Sequence, residues 1–289
     1  MRYTLVAFHA HPDDEALFTV GTLARAAAEG HRVVLVTATA GGAGLVSAEV
    51  AAAGDLAELR EAELRRGAAA LGCREVIFLG YEDSGLDGLQ GSDDRAFARV
   101  PVDEAAGRLA AILRDVDADV LTVYDPAGGY GHPDHVQVHR VGVRAAELAG
   151  TPVVVEATVD RRALLRVLRV LALLRLTPPD WRPERFEHAY TEPGRITHRV
   201  DVGAYTAAKR AAMAAHASQA TADEGVRTLA LLLRLPQPVF GRVFAHEWFV
   251  ERGRQASRRK VDDIFETLRG RRPRPSVGDE QDRRSPDMS

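Results

Sequence analysis

The chain has 289 residues, 46% of them hydrophobic and 27% charged, which is ordinary globular composition and enough for one large domain or one domain with an appendage. A formal net charge of −3 lacks the basic excess of a polyanion-binding domain and argues against nucleic acid as a partner. With Cys73 as the single cysteine, neither an intramolecular disulfide nor a cysteine-rich zinc module can form, and Cys73 itself reads as a buried, inert thiol at the start of a strand.

The first segment, MRYTLVAFHAHPDDE, has no charged region followed by a long apolar one, so it does not match a secretory signal, and a cytoplasmic protein is expected. Residues 3–8, YTLVAF, predict a strand, and helical periodicity over 15–29 ends at Gly30. RVVLVTA (32–38) is apolar and β-branched throughout, as in a strand covered on both faces. After the glycine-rich TAGGAGL a helix is expected from Asp55 to Gly72, with Asp55 and Glu58 at capping-box spacing. EVIFLG (75–80) is the third strand. A polar loop then leads to a helix capped at Asp103 and to the strand DVLTVY (119–124). DPAGGYGH precedes a helix from Pro133 to about Ala149, and PVVVEATV (152–159) is a fifth strand.

Repeated βα units with short connections predict an α/β fold of Rossmann-like form: a mostly parallel sheet with helices on both faces, over residues 1–160. Residues 161–252 read as a C-terminal α+β extension of the same domain that forms a cap. It contains the Arg/Leu helix 161–177, a strand at ITHRVDV, an alanine-rich helix over 203–217 and a strand at HEWFVE. The remainder, 253–289, reads as a helix and a Pro-, Arg- and Asp-rich tail, disordered from about 270. No internal repeat is visible, and no stretch approaches the roughly 20 uninterrupted apolar residues of a bilayer span. Helix 161–177 carries Arg162, Arg166 and Arg169 at helical spacing beside a leucine-rich face. It is read as packed on the body or on a second subunit of a homo-oligomer, with membrane-surface contact as the alternative.

HPDD (11–14) and GYGHPDH (130–135 and the glycine before) both fall at strand ends, where ligands bind in open α/β sheets. His11 and Asp14, three residues apart, can present an imidazole nitrogen and a carboxylate to one ion, and His135 can close the set from the facing loop. Two histidines and one aspartate leave coordination positions for water and substrate, the open geometry of a catalytic zinc site. Asp13 points elsewhere on its turn and is free to act as general base on a metal-activated water. Tyr130 and a protonated His132 are candidates to stabilise the oxyanion or to protonate a leaving amine, with Asp134 orienting His132 and holding its charge. Two other classes share part of this pattern. A non-haem iron oxygenase also uses two histidines and a carboxylate, usually on an all-β barrel; a metal-dependent carbohydrate-binding protein has no need of a spare Asp13 or a Tyr130/His132 pair.

AHPDDE together with GGYGHPDH resembles the LmbE/PIG-L family of zinc-dependent de-N-acetylases, in which mycothiol- and bacillithiol-pathway enzymes are found; the likeness extends over about residues 3–250. The resemblance implies one Zn2+ per chain held by His11, Asp14 and His135, Asp13 as general base, and Tyr130 and His132 as electrophilic or acid groups. It also implies that Arg60 of LREAEL and Asp83 of EDSGL hold sugar hydroxyls, although Arg60 could pair with a nearby glutamate and Asp83 could fix a turn. His9 and Glu15 read as supporting residues, and His216 and Gln219 as residues that line the pocket or sit on a packed helix. The expected activity is removal of an N-acyl group, acetate above all, from a small-molecule amino sugar or its conjugate. The alternative is amidase action on a larger thiol or natural-product conjugate at the same site.

Overall fold

The computed structural model describes residues 1–42, 56–92, 94–173, 186–187, 189–220 and 228–270. Five strands, β1 (Thr4–His9), β2 (Arg32–Thr39), β3 (Glu75–Tyr81), β4 (Val120–Tyr124) and β5 (Val153–Thr158), pair in parallel. β6 (His198–Asp201) and β7 (His246–Glu251) extend the same sheet: β7 is antiparallel to β5, β6 is antiparallel to β7, and the full order is β3-β2-β1-β4-β5-β7-β6. The extension therefore continues the sheet of the first 160 residues.

The helices are α1 (Asp14–Phe18), α2 (Val20–Ala28), α3 (Leu56–Ala70), α4 (Val102–Asp115), α5 (Pro133–Ala149) and α6 (Arg161–Leu173). After a 3-10 turn at Gly203–Tyr205 come α7 (Thr206–Ala215), α8 (Ala217–Ala220), α9 (Thr228–Leu233), α10 (Gln237–Val243) and α11 (Glu266–Arg269). α4 and α5 pack on each other, with α5 over β4 and β1, while α1, α2 and α3 pack against α7. β1, β2 and β4 are buried almost throughout, as strands covered on both faces must be, and this is why their sequences are apolar runs without alternation. α5 lies so close to β4 that a Cβ on Gly142 would stand 2.3 Å from Val123 Cγ1.

Chain order places the functional crevice. From β1 the chain winds outward through β2 to β3, then returns to β4 on the other side of β1 and winds outward to β5. The order reverses between β1 and β4, and at such a switch point the loops beyond two neighbouring strands diverge and leave a cleft. HPDD follows β1 and GYGHPDH follows β4.

Three boundaries differ from expectation. The helix expected over 15–29 is two helices broken at Thr19 (φ −134°), whose hydroxyl bonds His9 Nε2 at 2.9 Å. Asp103 does not cap α4: Pro101 is the N-cap, and Asp103, in the first turn, pairs with Arg144 at 2.8 Å. The alanine-rich helix is interrupted at His216 (φ −84°, ψ 56°). Asp55, residues 174–177 of the Arg/Leu helix and the tail beyond 270 lie outside the described residues. On α6, Arg162, Arg166 and Arg169 are exposed and Leu168 is buried. Among the described residues no helix is long and apolar enough to cross a membrane.

Candidate active site

β1 ends in a buried histidine that is not aimed at the cleft. His9 Nδ1 is 3.0 Å from the Tyr124 hydroxyl, and its ring links the ends of β1 and β4 to Thr19. The chain then turns sharply. Asp13 has φ 106° and ψ −25°, a conformation that residues other than glycine rarely adopt. The turn is held by several bonds: the His11 N–H donates to Asp14 Oδ2 (2.9 Å), the Asp13 N–H to Glu15 Oε2 (3.0 Å), and Arg60 Nη2 to the Pro12 carbonyl (2.6 Å).

This turn meets the loop after β4. Gly128, Gly129 and Gly131 all have positive φ, and a Cβ on Gly128 would stand 2.7 Å from Val136 N, so only glycine permits the reversal into α5. His132 is the N-cap of α5 with relaxed dihedrals, Pro133 follows in the first turn, and His132 Nδ1 accepts the Asp134 N–H at 3.1 Å. A neutral His132 ring therefore carries its proton on Nε2.

His11, Asp14 and His135 converge as expected, with one ligand atom from each lying within 4.8 Å of the others. All three are buried; Asp14 Oδ2 is 3.3 Å from His11 Nδ1, and Asp14 Oδ1 is 3.2 Å from His135 Nε2. His135 stacks on Tyr124 with centroids 4.3 Å apart. Neither ring nitrogen of His135 has hydrogen-bonding geometry to a described group, although Nε2 is close to Asp14. A buried polar atom left so costs about 1–3 kcal/mol. An ion shared by Asp14 and His135 removes that cost, so the donor set fits a divalent cation. A second group, His11, Asp83 and His132, also converges and shares His11.

The electrostatics point the same way. Burial would lower His11, but hydrogen bonds that its ring donates to the Asp134, Asp14 and Asp83 carboxylates outweigh it and raise its pKa well above the usual imidazole value. Burial would raise Asp14, but the neighbouring imidazoles of His135 and His11 hold its carboxyl well below the ordinary range. A surplus of carboxylate around one imidazole is the environment in which a metal cation can replace the proton.

Asp13 stands apart from this cluster. Its side chain is 23% exposed, its Oδ2 is 3.4 Å from Arg60 Nη2, and burial pushes its carboxyl up to about 6 even though Arg60 opposes the shift. Tyr130 is half-exposed on the rim, edge-on to His135 at 5.1 Å, and burial of its hydroxyl together with Asp14 and Asp13 raises its phenol well above its ordinary value. It is a hydrogen-bond donor at any physiological pH.

Two expectations change in detail. Asp134 orients His132 through its backbone N–H; its carboxylate instead accepts from Ser84 N (3.0 Å) and meets His11 Nε2 (3.1 Å). His132 is not held charged: burial and the nearby His11 and His135 push it down to about 4, because Asp134, turned toward His11, offsets too little of that. Of the two residues expected to touch substrate, Arg60 is buried against the carbonyls of Pro12 and Gly41 and so braces the turn, whereas Asp83 fixes its own turn through Gly85 N (2.9 Å) and borders the cleft 3.4 Å from His11 Nε2.

Two further neighbours, Tyr124 and Glu63, and the pairing of His216 with Glu15 are visible only in the structure. Tyr124 supports His135, and Glu63 accepts from Ser218 N (2.9 Å) and Oγ (2.7 Å). His216 Nε2 lies 2.6 Å from Glu15 Oε1, a pairing across 201 residues that no spacing rule could have found. Side-chain placement of Gln219 is outside the described residues.

The family described as PIG-L, GlcNAc-PI de-N-acetylase, matches residues 6–146. The chain is similar to the 1D-myo-inositol 2-acetamido-2-deoxy-alpha-D-glucopyranoside deacetylase of Streptomyces avermitilis, at 40% identity over 91% of this chain and 96% of that one. The protein of the same description from Rhodococcus erythropolis is 38% identical over 81% and 87%. In fold it resembles N,N'-diacetylchitobiose deacetylase from Pyrococcus horikoshii (TM-score 0.57, 19% identity, 86% and 83% covered). A zinc-inhibited form of a teicoplanin deacetylase is similarly alike (TM-score 0.58, 17% identity, 86% and 97% covered). The chain belongs to the LmbE/PIG-L de-N-acetylase family and is a hydrolase of that family.

Proposed function

We propose that this protein removes the acetyl group from an N-acetylglucosamine unit joined to inositol, with one zinc ion per chain held by His11, Asp14 and His135. The observation that carries the reading is the convergence of the two His-Pro-Asp turns, which sets a half-shielded carboxylate, Asp13, beside a buried donor set with orphaned imidazole nitrogens. The relatives from Streptomyces avermitilis and Rhodococcus erythropolis, which align over most of their length, support this substrate class.

When bound, the ion supplies Lewis-acid polarisation of the amide carbonyl and acidifies the attacking water. Asp13 takes the proton of that water as its oxygen bonds to the carbonyl carbon; a carboxyl near 6 is matched to this task at neutral pH. The Tyr130 hydroxyl and His132 Nε2–H donate to the developing oxyanion. The C–N bond then breaks, the proton held by Asp13 passes to the departing nitrogen, and acetate and a free amino sugar result. Asp83 accepts hydrogen bonds from ring hydroxyls at the cleft edge.

The test is acetate release by zinc-loaded protein from N-acetylglucosaminyl inositol, free N-acetylglucosamine and N-acyl thiol conjugates. Turnover of the inositol conjugate is expected to exceed that of the others at equal concentration; equal or faster turnover of the thiol conjugates would reject this substrate assignment. Metal content of His135→Ala is the companion measurement, with loss of stoichiometric zinc expected and full retention breaking the ligand set.

A further inference from the structure

We infer that Glu15 and His216 form a positioning pair that holds Asp13 in its working geometry, so that the C-terminal extension completes the active site. The inference rests on the proposed role of Asp13 as base.

The peptide plane between Pro12 and Asp13 is gripped on both edges. Its carbonyl accepts from Arg60 Nη2 at 2.6 Å, and its N–H donates to Glu15 Oε2 at 3.0 Å. The grip is needed because Asp13 has φ 106°. The other two described non-glycine residues with positive φ, Asp117 and Tyr190, have φ of 50° and 58°, close to the usual left-handed value, whereas Asp13 lies about 40–50° beyond it. Backbone of this kind is disfavoured by roughly 1–3 kcal/mol and persists only where its surroundings fix it. Loss of this grip would let φ of Asp13 relax toward an ordinary value, which changes the path of the chain through the turn that carries Asp13 and Asp14.

Glu15 is buried, and so is its partner. Oε1 meets His216 Nε2 at 2.6 Å, which leaves Oε2 for Asp13 and fixes the rotation of the carboxylate. His216 lies at the break between α7 and α8, and the break is itself tied down: Ser218 gives its N–H and hydroxyl to Glu63. Glu63 stands one helical turn beyond Arg60 on α3. One helix therefore grips the Pro12 carbonyl directly and, through Ser218, His216 and Glu15, the Asp13 N–H of the same peptide. Neither Glu15 nor His216 belongs to the donor sets that converge around His11.

A pair that only stabilised the fold would alter melting and expression. A positioning pair alters the chemical step in protein that remains folded and metal-loaded, since loss of an orienting partner typically costs about 10–100-fold in activity. The variants are His216→Phe, which keeps a ring but no donor, and His216→Gln, which restores a donor toward Glu15. In zinc-loaded full-length protein, His216→Phe is expected to lower kcat by about 10–100-fold with KM within about twofold and metal retained, and His216→Gln to recover most of that loss. Wild-type kcat in folded, metal-loaded His216→Phe overturns the inference, as does failure of His216→Gln to recover activity. Should His216→Phe not fold, Ser218→Ala loosens the same segment away from the cleft: a several-fold fall in kcat at constant KM supports the pair, and an unchanged kcat refutes it. Asp13→Asn is assayed in parallel. Normal turnover there removes the base itself, whereas a dead Asp13→Asn beside a fully active His216→Phe removes only the positioning pair.

Discussion

The two His-Pro-Asp turns of this protein share a tripeptide and differ in nearly everything else. At His132 the turn is relaxed: His132 caps α5 with its own Nδ1, Pro133 takes the first helical position, and glycines before it absorb the reversal. At His11 the turn is strained at Asp13, α1 has no side-chain cap, and outside groups, Arg60 and Glu15, hold it. The third residues diverge accordingly. Asp134 is buried with its carboxylate spent on Ser84 and His11, while Asp13 is partly open to the cleft with a raised pKa. The fourth residues, Asp14 and His135, meet 3.2 Å apart. On the proposed reading, a repeated motif would yield two ligands from equivalent places and a base only from the turn that Arg60 and Glu15 hold strained.

The comparison can be broken most directly at Asp13. Asp13→Asn should lower kcat by about 10³-fold while zinc stays bound, because a general base typically contributes 10²–10⁴; normal turnover in a metal-loaded sample would end the assignment. In metal-free protein, where no cation lowers the Asp13 pKa, the same variant should melt at a higher temperature at pH 7. The folded pKa of Asp13, about 6, exceeds its ordinary 3.8, so the folded state holds the proton more tightly and stability falls as pH rises through that window. Asparagine removes that penalty, of order 1–3 kcal/mol, and tolerates positive φ. A lower melting temperature would show that the carboxylate supports the turn.

His132→Ala comes next. It removes one oxyanion donor and one helix cap, so kcat should fall by about 10²-fold and stability by about 1 kcal/mol, the reverse sign to Asp13→Asn. Equal stability in the two variants would erase the contrast between a strained and a self-capped turn. The smallest effect is on the pH profile: the acid limb of kcat/KM should lie at or below about 6, since burial raises Asp13 and a bound cation lowers it again. A limb displaced above 7 would assign that titration to another group.

Much of this was legible in residue order. Strand runs such as RVVLVTA announce burial on both faces, Gly30 and Gly150 end helices where periodicity stops, and His11, Asp14 and His135 sit at strand ends that the βα alternation brings together. Arg60 and Glu63 were harder. Their spacing on one helix face was visible, but their partners, Pro12, Gly41 and Ser218, are main chain or distant, and carbonyls leave no trace in a sequence. Asp134 differs for a related reason: adjacency to His132 predicts a carboxylate contact, whereas the helix start directs its backbone N–H there and turns its carboxylate to Ser84.

The sequence by itself determined the α/β fold, the family and the candidate cluster of His11, Asp14 and His135, because hydrophobic period and a paired motif are local properties repeated along the chain. Only the tertiary structure decided how Asp13 is held. Glu15 and His216 are 201 residues apart, and their meeting depends on the C-terminal strands joining the same sheet and on α7 packing against α1, α2 and α3. Side-chain pairing over such separations is set by packing of whole elements, and that information is distributed over the core.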